Sequence, residues 1–143
     1  MENLSTLESG TGLSPELGKR GVQVLVVEDE AIIAMDILGM LKKMGCAQSE
    51  AVFSGEESVR KVAERRPDLV LMDIRLKGRM DGIQAAQQIF YKYDVPVVYL
   101  TAFGDDATID RANGSARFGY LTKPFEENEL RSTIRNALDQ AYC

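Results

Sequence analysis

Histidine is absent from the 143 residues, which removes Ser/His/Asp triads, histidine-bound metals and any phosphohistidine carried by the chain itself. Whatever chemistry the chain performs must run on carboxylates, hydroxyls and lysine. Cysteine is nearly as scarce: Cys46 and Cys143 stand far apart in no ligand-like spacing, which predicts free thiols in a reducing compartment. No apolar run approaches the ~20 residues of a membrane span. The opening stretch MENLSTLESG has neither the basic start nor the apolar middle of a signal peptide. These features predict a cytoplasmic protein that does not enter membranes. A basic excess is also missing. The formal charge is -5 and no Lys/Arg cluster stands out, which argues against direct nucleic-acid binding.

What is present has the composition of one globular domain with one core: 45% hydrophobic and 27% charged residues. Residues 1–20, rich in Gly, Ser and Thr without a sustained period, read as a flexible tail, and 21–143 as the folded domain. From Val22 onward, aliphatic bursts alternate with helix-period segments. The bursts are VQVLVV, SEAVF, DLVLMD, PVVYLT and FGYLT; the expected helices cover 30–44, 55–66, 82–92, 105–115 and 126–140. Ser54 and Glu57 have capping-box spacing at the start of the second helix, Arg65 and Arg66 suit its negative end, and Pro67 stops it. In the last helix Leu130, Ile134, Ala137 and Leu138 form one stripe, with Glu126 and Glu127 at its start and Arg131 and Arg135 on the charged face. Near-continuous aliphatic strands, each followed by a helix, imply a parallel sheet covered on both faces. The expected fold is therefore α/β, a doubly wound five-stranded parallel sheet, whose ligands bind outside the carboxyl ends of the strands.

Those ends are polar after apolar runs. The first strand delivers Glu28 and Asp29, the third Asp73, the fourth Thr101 and the fifth Lys123. Singly, each has an ordinary reading: acids after a strand are often solvated turn residues, as Glu30 is expected to be at the start of the first helix, and a lone Thr or Lys is a surface residue. Jointly they specify a site. Three converging carboxylates repel one another unless a cation is present. All-oxygen ligands without Cys or His select magnesium, with manganese as the alternative. Magnesium is commonly completed by a phosphate oxygen, and Thr101 and Lys123 offer a hydroxyl and a mobile point charge to one.

The motifs VVEDE, LVLMDI, PVVYLTAF and GYLTKPF, in this order, resemble the receiver domain of two-component response regulators, from Val22 to about Ala141. The resemblance implies a flavodoxin-like sheet with strand order 2-1-3-4-5. It implies that Asp73 accepts a phosphoryl group from a phosphohistidine on a sensor kinase or phosphotransfer protein. Asp29, Asp73 and the backbone carbonyl of Arg75 would ligate magnesium, Glu28 would act through water, and Thr101 and Lys123 would hold phosphoryl oxygens. It further implies a cis Lys123-Pro124 bond, a switch through Thr101 and Tyr120, and an output face of about residues 105 to 140 for a downstream protein, with a phosphorylation-linked homodimer as one form of output. Tyr120 has the competing reading of a core aromatic. Arg75 and Phe103, at positions that in this family line the path of attacking water, are expected to tune the lifetime of the phosphoryl group. After Asp73 the run DIRLKGRMDGI departs from the family pattern, with Lys77 in place of a proline and one residue more.

The activity implied is signalling, with no catalysis beyond self-phosphorylation and autodephosphorylation. The initial Met and the chain's own N-terminal tail lean toward a stand-alone regulator over a receiver excised from a hybrid kinase or longer regulator. Two rivals fit less well. An aspartate-nucleophile phosphatase wants a second aspartate two residues after the first, where this chain has Arg75. A flavin-binding module on the same fold needs a phosphate cradle where this chain has carboxylates.

Overall fold

The computed structural model describes residues 21–105 and 118–142. The expected tail, most of the expected helix at 105–115, and Cys143 lie outside the described residues. The elements run β1 (Val24–Val27), α1 (Ala31–Lys43), β2 (Glu50–Val52), α2 (Gly55–Glu64), β3 (Leu69–Asp73), α3 (Gly82–Tyr93), β4 (Val97–Thr101), β5 (Tyr120–Thr122) and α4 (Glu127–Tyr142). All neighbouring strands are parallel, in the order β2-β1-β3-β4-β5. This is the doubly wound 2-1-3-4-5 sheet expected from the sequence.

Alternation along each strand explains the aliphatic runs. Val24, Val26, Leu69, Leu71, Val98 and Leu100 pack on one side of the sheet with Ile37 and Leu41 of α1 and Leu130, Ile134 and Leu138 of α4. Leu25, Val27, Val70, Met72, Val97 and Tyr99 pack on the other with Val62 of α2 and Ile83, Ala86 and Ile89 of α3. A strand buried on both faces cannot alternate apolar with polar, so polarity is confined to its ends.

Side-chain caps fix the starts of α2 and α3, and α2 departs from expectation at both of its ends. Ser54 Oγ accepts from the Glu57 N–H at 3.1 Å, but the Glu57 carboxylate reaches one residue further back than a capping box would place it, to the Phe53 N–H at 3.1 Å. The reciprocal box occurs at α3 instead, where Asp81 accepts from the Gln84 N–H and the Gln84 side chain accepts from the Asp81 N–H, both at 2.9 Å. Helix α2 stops at Glu64, two residues before the expected end, and Arg65 is already extended (φ -150°, ψ 95°). Pro67 disfavours helical geometry at Arg66, so the last turn is lost.

Candidate functional site

Register places the polar ends side by side. Val27 is level with Met72, so Glu28 and Asp73 are the next residues out on adjacent strands. Asp73 is level with Leu100 and Thr101 with Thr122. Carboxylate oxygens of Glu28, Asp29 and Asp73 lie within 4.8 Å of one another. The sheet thus brings together, at one edge, the three acids expected to converge.

The acids are not equivalent. Glu28 is 0% exposed and Asp73 is buried, whereas Asp29 is half-buried. Lys123 Nζ donates to Glu28 Oε1 at 3.0 Å and stands 3.6 Å from Asp73 Oδ2. Burial pushes the Glu28 carboxyl up; the Lys123 hydrogen bond opposes this and the Asp73 charge adds to it, leaving it at about 7. Burial pulls the Lys123 ammonium down, but its bond to Glu28 and the charges of Asp73 and Glu28 outweigh that and raise it. Lysine therefore stays charged in a pocket of excess acid.

Main-chain groups complete the frame. The Arg75 N–H donates to Asp73 Oδ1 at 3.0 Å, the Lys77 N–H to Asp29 Oδ2 at 3.2 Å and the Glu30 N–H to Glu28 Oε2 at 3.1 Å. The loop after β3, including the replaced residue Lys77, folds onto the acids. Gly82 anchors its far end: a Cβ there would come within 2.9 Å of the Asp73 carbonyl carbon and closer still to its oxygen. Thr101 is buried with its Oγ1 3.3 Å from Thr122 Oγ1, and the Lys123 N–H donates to the Thr101 carbonyl at 2.7 Å. The Lys123-Pro124 peptide is cis, as the resemblance implies.

The three oxygen ligands, one of them partly open to solvent, fit a hard divalent cation, and among the described residues no thiolate or imidazole that would favour zinc or copper joins them. Tyr120 is 51% exposed on an edge strand, so it is not the core residue that a strand aromatic usually is. Phe103 is 98% exposed at the tip of the turn after β4, and so does not close over the acids. Arg75 sends its side chain across to Asp105, a buried residue of that turn which the sequence did not single out.

Comparison with known proteins gives a consistent result. A family model described as the response regulator receiver domain matches residues 24–135. The transcriptional regulatory protein PdtaR of Mycobacterium tuberculosis is 38% identical over 118 residues, covering 82% of this chain and 57% of PdtaR, so the chain spans little more than half the length of that curated relative. The signal receiver domain of a modulated diguanylate cyclase from Desulfovibrio desulfuricans G20 is similar with a TM-score of 0.75 and 34% identity, over 83% of this chain and 94% of that one. The receiver domain of NtrX from Brucella abortus has a TM-score of 0.75 at 29% identity, over 81% of this chain and 98% of that one.

Proposed function

The chain belongs to the response regulator receiver family, and from that premise we propose that it is a phosphorylation switch whose acceptor is Asp73. The carrying observation is the cluster of Glu28, Asp29 and Asp73 with Lys123 at its edge. Phosphoryl transfer asks the protein mainly for alignment and for neutral surroundings around the equatorial oxygens. A buried carboxylate already held by the Arg75 N–H is aligned to attack a phosphorus atom, forming a mixed anhydride and releasing the histidine of a sensor kinase or phosphotransfer protein.

Magnesium, held by Asp29, Asp73 and the Arg75 carbonyl with Glu28 behind a water, would supply the positive charge that three acids lack. Lys123 has only to exchange part of its bond with Glu28 for a phosphoryl oxygen, and Thr101 to turn its hydroxyl from Thr122. Tyr120 stands on the neighbouring strand, exposed and free to move inward once Thr101 has shifted. The face it alters includes β5 and α4, where Tyr120, Asn128, Glu129, Ser132 and Thr133 line an open polar groove suited to a downstream protein, or to a second phosphorylated copy. The family's role is signalling, and the chemistry here is confined to gain and loss of one phosphoryl group. Arg75, beside the acceptor, sets the lifetime of that group; Phe103 contributes only if the turn folds over. A cytoplasmic location suits such a switch, and among the described residues no helix is long and apolar enough to cross a membrane.

Incubation with magnesium and acetyl phosphate, followed by intact mass, tests the reading. One phosphoryl group should be gained, and lost with Asp73→Asn or chelator. Labelling that persists in Asp73→Asn would place the acceptor elsewhere.

A further inference from the structure

Asp105 is a buried carboxylate 30 residues from its partner in sequence, and it collects donors from two loops. Its Oδ1 accepts from Arg75 Nε at 2.5 Å and is also paired with the second guanidinium nitrogen. Its Oδ2 accepts from the Ala102 N–H at 2.7 Å, and its own N–H donates to the Ala102 carbonyl at 3.2 Å. Gly104, at φ +94°, permits this tight turn. Both donors adjoin the reacting groups: Arg75 also holds Asp73 Oδ1 through its main-chain N–H, and Ala102 follows Thr101 directly.

We infer that Asp105 is an internal stand-in for the phosphoryl anion. Resting on the proposal that Asp73 is phosphorylated, the inference is that Asp105 occupies the Arg75 guanidinium and the Ala102 N–H in the resting protein, tying the turn after β4 to the loop after β3. A dianion on Asp73 competes for the same donors and releases the turn, and with it Thr101. The Arg75 side chain is 62% exposed, so it can swing without unpacking the core, whereas Asp105 cannot leave with it. The bridge is therefore a latch that opposes activation, and Asp105 is a positioning residue that touches no reactant.

The test uses beryllofluoride with magnesium as the phosphoryl mimic, on wild-type protein, Asp105→Asn, Arg75→Gln and the double variant. Asp105→Asn keeps an oxygen for the Ala102 N–H but removes the charge that holds Arg75, so half-saturation should fall by about tenfold, the scale of one charge-assisted hydrogen bond. In the Arg75→Gln background the same change should have no effect. In wild-type protein, the Arg75 Nε–H and Ala102 N–H resonances should both move on saturation, a readout that needs no variant to fold. Unchanged or weaker binding by Asp105→Asn, an equal effect in the Arg75→Gln background, or stationary resonances in a saturated wild type would overturn the latch while leaving the phosphorylation reading intact. Wild-type protein that neither takes up the mimic nor labels with acetyl phosphate would overturn both.

Discussion

Replacing Lys123 with alanine should weaken the fold in a pH-dependent way whose sign follows from Glu28. The ammonium lies 3.0 Å from Glu28 and 3.6 Å from Asp73. At an effective dielectric of ~20 each attraction is about 5 kcal/mol before desolvation, which cancels most of it. Removing one partner of a buried pair costs about 3–5 kcal/mol when the remaining charge has no escape. Glu28 has one, because it can take a proton. Its carboxyl lies at about 7 in the folded protein against an ordinary 4.5, so the folded state binds the proton more tightly than the unfolded one. Wild-type stability from this group is therefore greatest below pH 4.5, declines as pH rises to about 7, and is level above. Without Lys123 the carboxyl loses its main lowering influence and moves higher, so the decline continues past pH 7. The variant should lie nearest to wild type at pH ~5.5, where only the attraction to Asp73 is lost, and fall up to about 2 kcal/mol further behind by pH ~8.5, or roughly 8 °C in Tm for a domain of this size. Urea unfolding in chelator, followed by far-UV circular dichroism at both pH values, measures the difference. An equal loss at the two pH values, or none at the higher one, would refute this charge balance.

Three further perturbations have defined outcomes. Magnesium added near pH 6 should displace a proton from Glu28, so affinity should rise with pH and level off above about 7; calorimetry in two buffers of different ionisation heat measures the release, and pH-independent affinity would count against the acid cluster as the binding site. Gly82→Ala forces a methyl against the Asp73 carbonyl and should cost about 1–3 kcal/mol together with a large part of the acceptor rate, since ~1 Å of displacement can cost about 100-fold. Gly39→Ala, on α1 with nothing within 4 Å of the added carbon, should instead stabilise by about 0.5–1 kcal/mol. Thermal unfolding and acetyl phosphate labelling of the pair separate steric displacement from any general effect of the substitution.

The parts of the site that could be read from the sequence are those that break a strong pattern. Strands β1, β3 and β4 are buried on both faces, so Glu28, Asp73 and Thr101 each appear as a polar residue directly after an apolar run. Lys123 stands out less: β5 is short, only its Leu121 is buried, and the polar Thr122 comes between. Asp105 breaks no pattern: it sits in the polar stretch Gly104-Asp105-Asp106, and its partner Arg75 belongs to another loop. Loop-to-loop contacts depend on where two turns end in space, which periodicity does not encode. The Asp81–Gln84 capping box was legible in principle from its spacing. Gly82 was not, because its need for a bare Cα arises only where α3 meets the end of β3.

The charge inventory also explains why the imbalance shows itself at Glu28. Fully ionised, the three acids Glu28, Asp29 and Asp73 with Lys123 carry a net charge of -2, which one divalent cation cancels. Asp29 is half-buried, and Asp73 is held by a main-chain N–H as well as facing Lys123. Glu28 is fully buried, and its burial first, with the neighbouring Asp73 charge adding to it, raises its pKa. A phosphoryl group adds about two further negative charges, more than one lysine can offset. Cation and phosphoryl group are therefore energetically linked: each makes the other's presence less costly, and chelation should strip the site of its capacity to accept phosphate even though every side chain needed for the transfer remains in place.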